Sequence, residues 1–278
     1  LTTRGHLCSG PQPDQCVMCL GEEQRAKLVV RRLRVQHYYS VFDQFISPSY
    51  FLKQRYVDWG LDPYKISVVE NMLPPARKEI VALGEKKHNP SPLTFAYFGQ
   101  VNPWKGLNLI LKAFAIFVQI CPDVRLEIHG CSIADLEEEC SPHPEFVAEL
   151  KSLVKSIKPN HVYFRGLYEP EDLDLRMAGV DAVIMASSWY ENAPMVIQEA
   201  FLHHCPVIAP NIGGMAEKVR HKVSGLLFNP GDEHALVSQL IFLANEPKFL
   251  EELQTNILNM PLQGRGVFEQ HQNSIFVG

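Results

Sequence analysis

The sequence lacks any long apolar run. None approaches the roughly 18 residues that a membrane-crossing helix needs, which excludes a helical membrane-spanning class for the residues in hand. It also lacks a strong charge of either sign: 26 Lys and Arg against 31 Asp and Glu leave a net charge of −5. A balance of that kind gives no electrostatic footprint for nucleic acid. There is no internal repeat and no low-complexity tract, so a repeat architecture is excluded. No signal peptide is visible, but the chain starts at Leu1 rather than Met, so its start carries no targeting information. Seven cysteines, an odd number, do not form a paired framework. Cys121, Cys131 and Cys205 lie in or beside apolar segments and read as reduced core residues, which favours a reducing, cytosolic setting.

What is present is apolar content sufficient for real cores, 46% of 278 residues, and length for roughly two domains. Residues 1–21 read as loop: Gly, Pro, Ser and Cys with little periodicity. Residues 22–42 turn helical and basic. Residues 44–49 and 65–70 read as strands, with a helix over 50–59 that stops at Gly60. Pro74, Pro75 and the polar stretch up to Pro92 mark a linker. Beyond it, strands at 93–99, 124–130, 161–166, 181–187, 206–210 and 225–228 alternate with helices at 105–121, 144–157, 170–178, 194–203, 215–219 and 233–245. Such alternation predicts an α/β fold with a doubly wound parallel sheet. Several strands lack polar alternation, as strands covered on both faces do. Four segments follow: 1–73, a linker at 74–92, a Rossmann-like domain at 93–262, and a C-terminal segment at 263–278.

Ligands of such sheets sit at the carboxyl ends of the strands. Three loops there carry chemistry. In GQVNPWKG, Gly99 allows close backbone approach, Gln100 follows it, and Lys105 is placed to open the next helix, where a point charge suits a diphosphate. The alternative is a turn glycine with a surface lysine. In SSWYENAPMVIQEA, Asn192 is the expected helix cap, with Pro194 in the first turn. The amides of Ala193, Pro194, Met195 and Val196 are then read as facing an oxyanion, although proline itself contributes no N–H. Glu199, framed by Val196, Ile197, Ala200 and Phe201, can accept two hydrogen bonds from a ribose diol, and Glu191 can accept from sugar hydroxyls. The bland reading makes both surface acids. Gly213-Gly214 permits a turn with positive φ, and Glu217 follows.

Taken in order, GQVNPWKG, LEIHG, FRG, SSWYENAPMVIQEA, PVIAPNIGGMAEKV and SGLLFNPGD resemble the nucleotide-binding half of family 4 glycosyltransferases, over residues 93–245. That resemblance implies the two-Rossmann GT-B architecture, with residues 1–73 as the remnant of an incomplete N-terminal Rossmann domain and 263–278 crossing back to it. It implies a retaining transfer of sugar from a nucleotide diphosphate sugar to an acceptor hydroxyl, in glycan or polysaccharide synthesis. Lys105 then binds the diphosphate and Glu191 meets the transferred sugar, the pair forming the catalytic set, while Glu199 binds ribose. Gly99, Gln100, Asn192, Ala193, Pro194, Met195 and Val196 complete the donor contacts. Gln100 replaces an arginine usual in the family. No cofactor and no active-site metal are implied. The implied partners are the donor and a glycan or lipid-linked acceptor, without nucleic acid. The alternatives are a nucleotide-sugar-binding module without turnover, and a two-Rossmann nucleotide-sugar epimerase.

Two features stand outside that scheme. His6, Cys8, Cys16 and Cys19 offer four zinc ligand types, one half a C-x2-C pair and the other an atypical H-x-C; the alternative is a loop of free thiols. Arg25, Lys27, Arg31, Arg32 and Arg34 make a basic helix that admits peripheral contact with anionic membrane, at the inner face for a chain that the cysteines read as cytoplasmic. Its alternative is a solvated face, with Leu28, Val29, Leu33 and Val35 to bury.

Overall fold

In the computed structural model, residues 2, 7, 8, 10, 12–71, 92–134, 136 and 143–260 are described. Apart from Pro92, the expected linker lies outside them, as do the C-terminal segment and His6. The chain divides into two compact units: residues 1–72 with 189–193 and 263–278, and residues 73–188 with 194–262.

The first unit holds helices α1 (Pro13–Leu20), α2 (Arg25–Ser40) and α3 (Tyr50–Trp59) and strands β1 (Phe45–Ser47) and β2 (Ile66–Val68). The strands pair in parallel, Phe45 opposite Ile66 and Ser47 opposite Val68. α1 corrects the reading of residues 1–21 as loop. Pro13 stands in its first turn, where a missing N–H costs nothing, and Gly21 ends it at φ 95°. Ser49 caps α3, accepting from the Leu52 amide at 3.1 Å, and Gly60 closes it at φ 111°. Tyr39 binds the elements together, edge-on to Phe45, Tyr56 and Trp59.

The second unit is built on β3 (Leu93–Phe98), β4 (Val124–His129), β5 (Val162–Phe164), β6 (Ala182–Ile184), β7 (Val207–Pro210) and β8 (Gly225–Phe228). They form one sheet in the order β5-β4-β3-β6-β7-β8, parallel throughout. Its helices are α4 (Leu107–Ile120), α5 (Pro144–Ser156), α6 (Leu173–Ala178), α7 (Met195–Leu202), α8 (Gly213–Lys218), α9 (Glu233–Asn245) and α10 (Pro247–Leu258). α10 has no counterpart among the sequence expectations.

Two apolar cores lie on opposite faces. Phe95, Tyr97, Leu126, Ile128, Ile184 and Ile208 pack with α4, α5, α9 and α10. Ala96, Phe98, Val183, Val207 and Ala209 pack with α6, α7 and α8. Alternate residues of one strand enter different cores, so β3 is apolar from Phe95 to Phe98. This is the doubly wound Rossmann-like sheet that the alternation predicts. From β3 the chain winds outward through β4 to β5, then returns to place β6 on the other side of β3. The order reverses there, and loops leaving β3 and β6 diverge to opposite faces, opening a crevice at their carboxyl ends.

Candidate donor site

The loop from β3 to α4 is shaped by close backbone contacts. Gly99 has φ 146°, and its amide donates to the His129 carbonyl at 3.1 Å. A Cβ on Gly130, where φ is 110°, would lie 2.3 Å from the Gly99 carbonyl oxygen, so the turns after β3 and β4 touch through glycine backbone. The Tyr97 hydroxyl donates to the Gln100 carbonyl at 2.7 Å, and Gln100 itself is exposed. Asn102 Oδ1 then accepts from the amides of Trp104 and Lys105 at 3.1 and 3.0 Å. That turn delays the helix. α4 begins at Leu107 after Gly106, φ 75°, so Lys105 stands just ahead of the helix instead of opening it. Gly106 approaches the end of β6 so closely that a Cβ would fall 2.0 Å from the Ala186 carbonyl oxygen. The Ser188 amide donates to the Trp104 carbonyl at 2.8 Å, holding the two switch-point loops together.

α7 starts at Met195 with Pro194 in the cap position at φ −66° and ψ 117°, and no side chain caps it. Asn192 is therefore not the cap. Pro194 brings a fixed φ and no N–H, and the residue before a proline is steered away from helical backbone, which pushes the start past it. The anion-facing group narrows accordingly. Pro194 has no amide to offer, and the Ile197 amide bonds the Pro194 carbonyl at 3.3 Å. Met195 and Val196 supply the first helical amides, which have no partner within a helix.

Glu199 lies one turn further along α7, between buried Ile197 and Ala200, and burial pushes its carboxyl above the usual range. Tyr168 belongs to the same neighbourhood: burial first, and then the Glu199 carboxylate, raise its phenol. Glu191, Asn192 and Ala193 belong to the first unit. There the Trp189 indole N–H donates to Glu191 Oε1 at 2.8 Å, which fixes the carboxylate, and Tyr190 lies against Phe51 with the Arg55 guanidinium 5.4 Å from its ring centre.

Sequence reasoning passed over a polar cluster at the ends of β4 and β5, although LEIHG and FRG contain it. Glu127 Oε1 accepts from Arg165 at 2.6 Å, and Glu127 Oε2 lies 3.3 Å from His129 Nε2. Burial pushes the Glu127 carboxyl up, but hydrogen bonds and charge from His129 and Arg165 outweigh it and hold it at about 2. His129 is pushed below its usual value, first by burial. Its ring stacks on Phe98 at 4.3 Å and 4°. Its Nδ1 faces Arg176 Nη1 at 3.3 Å. Arginine can only donate, so Nδ1 accepts and the neutral ring carries its proton on Nε2, toward Glu127.

Of the four zinc candidates, Cys8, Cys16 and Cys19 are described. Burial first, and then Cys8 and Cys19, raise the Cys16 thiol. Among the described residues no group of three His, Cys, Asp or Glu is arranged to hold a metal, and Cys8, Cys16 and Cys19 are free thiols. Cys131 and Cys205 are buried and Cys121 is half-buried. Along α2 the described residues are all exposed or half-buried, including Val29 and Leu33. No described helix is long and apolar enough to cross a membrane.

A parallel sheet whose order reverses between β3 and β6, with helices on both faces, defines the doubly wound α/β class. Residues 82–260 match the family described as Glycosyl transferases group 1, and the chain belongs to that family. It is 24% identical over 259 residues to a D-inositol 3-phosphate glycosyltransferase of Thermobispora bispora, covering 89% of this chain and 55% of that one. With a glycogen synthase of Thermus caldophilus it shares 26% over 171 residues, 62% of this chain and 36% of that one. The chain thus spans about half the length of these relatives, or less. Its fold is that of GT-B glycosyltransferases. HepE of Anabaena, crystallised with UDP and glucose, superposes with a TM-score of 0.68 at 22% identity, over 87% of this chain and 65% of that one. Sucrose-phosphate synthase of Thermosynechococcus elongatus gives 0.67 at 17% identity, over 92% and 61%.

Proposed function

We propose that this chain carries the donor half of a retaining glycosyltransferase, which moves a sugar from a nucleotide diphosphate sugar to an acceptor hydroxyl in glycan or polysaccharide synthesis. The observation that carries the reading is the convergence at the carboxyl ends of β3 and β6 of the Gly99–Lys105 loop and the start of α7, with Glu199 in that helix. A relative of the same fold crystallised with UDP and glucose supports a nucleotide-sugar donor.

In this reading Lys105 and the amides of Met195 and Val196 meet the diphosphate, and Glu199 accepts from the ribose hydroxyls. Glu191 accepts from the transferred sugar. Charge grows on the diphosphate as the glycosidic bond breaks, so a fixed ammonium and fixed amides stabilise the departing group more than the ground state. Gly99, Gln100, Asn192, Ala193 and Pro194 are the further donor contacts that the family resemblance implies. The acceptor is a glycan or a lipid-linked glycan. The enzyme works in the cytoplasm; for the basic α2 a solvated face is the main reading, with contact to anionic membrane as the alternative. A second reading, nucleotide-sugar binding without turnover, is favoured by one observation: Gln100 leaves the first loop without a guanidinium.

Calorimetric titration with UDP, GDP and ADP tests the proposal. One nucleotide is expected to bind, and Lys105→Ala to weaken it about tenfold or more, the scale of one charge-assisted contact. Equal binding by parent, Lys105→Ala and Glu199→Ala would sink the site assignment. Sugar transfer to any acceptor by the chain would reject the binding-only reading.

A further inference from the structure

Arg176 sits on α6, outside every motif that points to the donor. Its guanidinium reaches three backbone and ring acceptors at once. Nη1 donates to the Arg165 carbonyl at 2.8 Å and faces His129 Nδ1 at 3.3 Å. Nη2 donates to the Leu167 carbonyl at 2.9 Å. The same group lies 5.3 Å from the Tyr168 ring centre. One side chain therefore grips residues 165–168, the turn leaving β5, along its whole length.

Backbone bonds hold the start of that turn. The Arg165 amide bonds the Ile128 carbonyl at 2.8 Å, and Gly166 exchanges bonds with Cys131 and Gly130. Gly166 has φ 70°, and a Cβ there would meet nothing within 4 Å, so the backbone conformation is set by bonding and not by packing. Past Gly166, the bonds holding Leu167 and Tyr168 are those from Arg176, together with ring contacts of Tyr168 with Phe98 and His129 at 6.0 and 6.4 Å. Tyr168 in turn packs on the apolar cluster that includes Ile197 and Ala200, the α7 residues on either side of Glu199, and it feels the Glu199 charge.

We infer that Arg176 is a positioning residue for the nucleoside end of the donor pocket: by clamping the 165–168 turn it holds Tyr168 beside Glu199. The inference rests on the donor reading above. The planar fork is what the task requires. Two carbonyls and a ring nitrogen in fixed directions match a guanidinium and not a single ammonium. Arg176 touches no ligand in this account and acts through the turn. Its second effect is on His129, whose neutral tautomer it fixes by occupying Nδ1.

The test uses the full chain and the nucleotide among UDP, GDP and ADP that the parent binds best. Arg176→Ala is expected to lower affinity at least tenfold and to speed amide hydrogen exchange at residues 167 and 168, with exchange in β3 and β4 unchanged. Arg176→Lys, which keeps charge and stem, is expected to fold and to recover only part of the affinity. Arg125→Ala is the control: Arg125 bonds Thr94 Oγ1 at 2.8 Å and lies 3.8 Å from Glu127, so it perturbs the same ion cluster without gripping the turn. Its affinity should match the parent. If Glu199→Ala weakens binding while both Arg176 variants bind like the parent, the positioning role is overturned and the donor site stands. An equal loss in Arg125→Ala also overturns it, since the effect would then belong to the cluster at large. If neither Glu199→Ala nor Arg176→Ala weakens binding, the donor reading falls and this inference with it.

Discussion

Glu199 shows how a residue can serve a site at the expense of the fold. Burial raises its carboxyl above the ordinary 4.5. A carboxyl raised in the folded state favours the protonated form, so stability present at low pH is given up as pH rises past the unfolded value. Glu199→Gln is therefore expected to raise the melting temperature of the ligand-free chain at pH 7. The same change should weaken nucleotide binding by roughly tenfold to a hundredfold, the worth of charge-assisted hydrogen bonds of about 1.5–3 kcal/mol. Paired melting and calorimetry decide it: a less stable variant, or one that binds as well as the parent, would contradict the account. Glu127 has the opposite sign. Held at about 2, its carboxylate stabilises the fold above pH 4.5 and loses that contribution as pH falls toward 2. Acid titration of stability should accordingly be shallower for Glu127→Gln than for the parent.

At the scale of elements, the loop leaving β3 meets the end of β6 through a glycine, Gly106. Gly106→Ala must hold a left-handed φ and push a methyl into the Ala186 carbonyl. The conformation alone costs about 1–2 kcal/mol, and the clash adds to it. Denaturant unfolding is expected to show a loss above ~2 kcal/mol, whereas Gly231→Ala, with the same sign of φ but open space around it, should lose less. Here local patterns and structure part company. Apart from α1 and α10, the helices and the stop at Gly60 were readable from periodicity and glycine. The starts of α4 and α7 were not, because Asn102 and Pro194 shift them by side-chain bonding and by a missing amide, which periodicity does not register.

For the molecule as a whole, both cores belong to the second unit and draw on no described residue of the first. A fragment of residues 73–262 is therefore expected to unfold in one cooperative transition and to keep its α/β circular dichroism. A broad, non-cooperative melt would show that the first unit is needed to complete the fold.

The sequence by itself determined the winding. Its strands are apolar on both faces and separated by amphipathic helices, and that pattern admits little other than a doubly wound sheet. It also determined which segments bear the acids, the lysine and the glycines, since those residue types at strand ends are visible one segment at a time. Tertiary structure decided what depends on contacts far apart in the chain. The strand order placed β6 beside β3 and so chose which loops share the crevice. Arg176 meets His129 across 47 residues of sequence, and the pairing of Glu127 with Arg165 spans 38. Distances of that kind leave no periodic trace. They exist only once the sheet has brought neighbouring strand ends together.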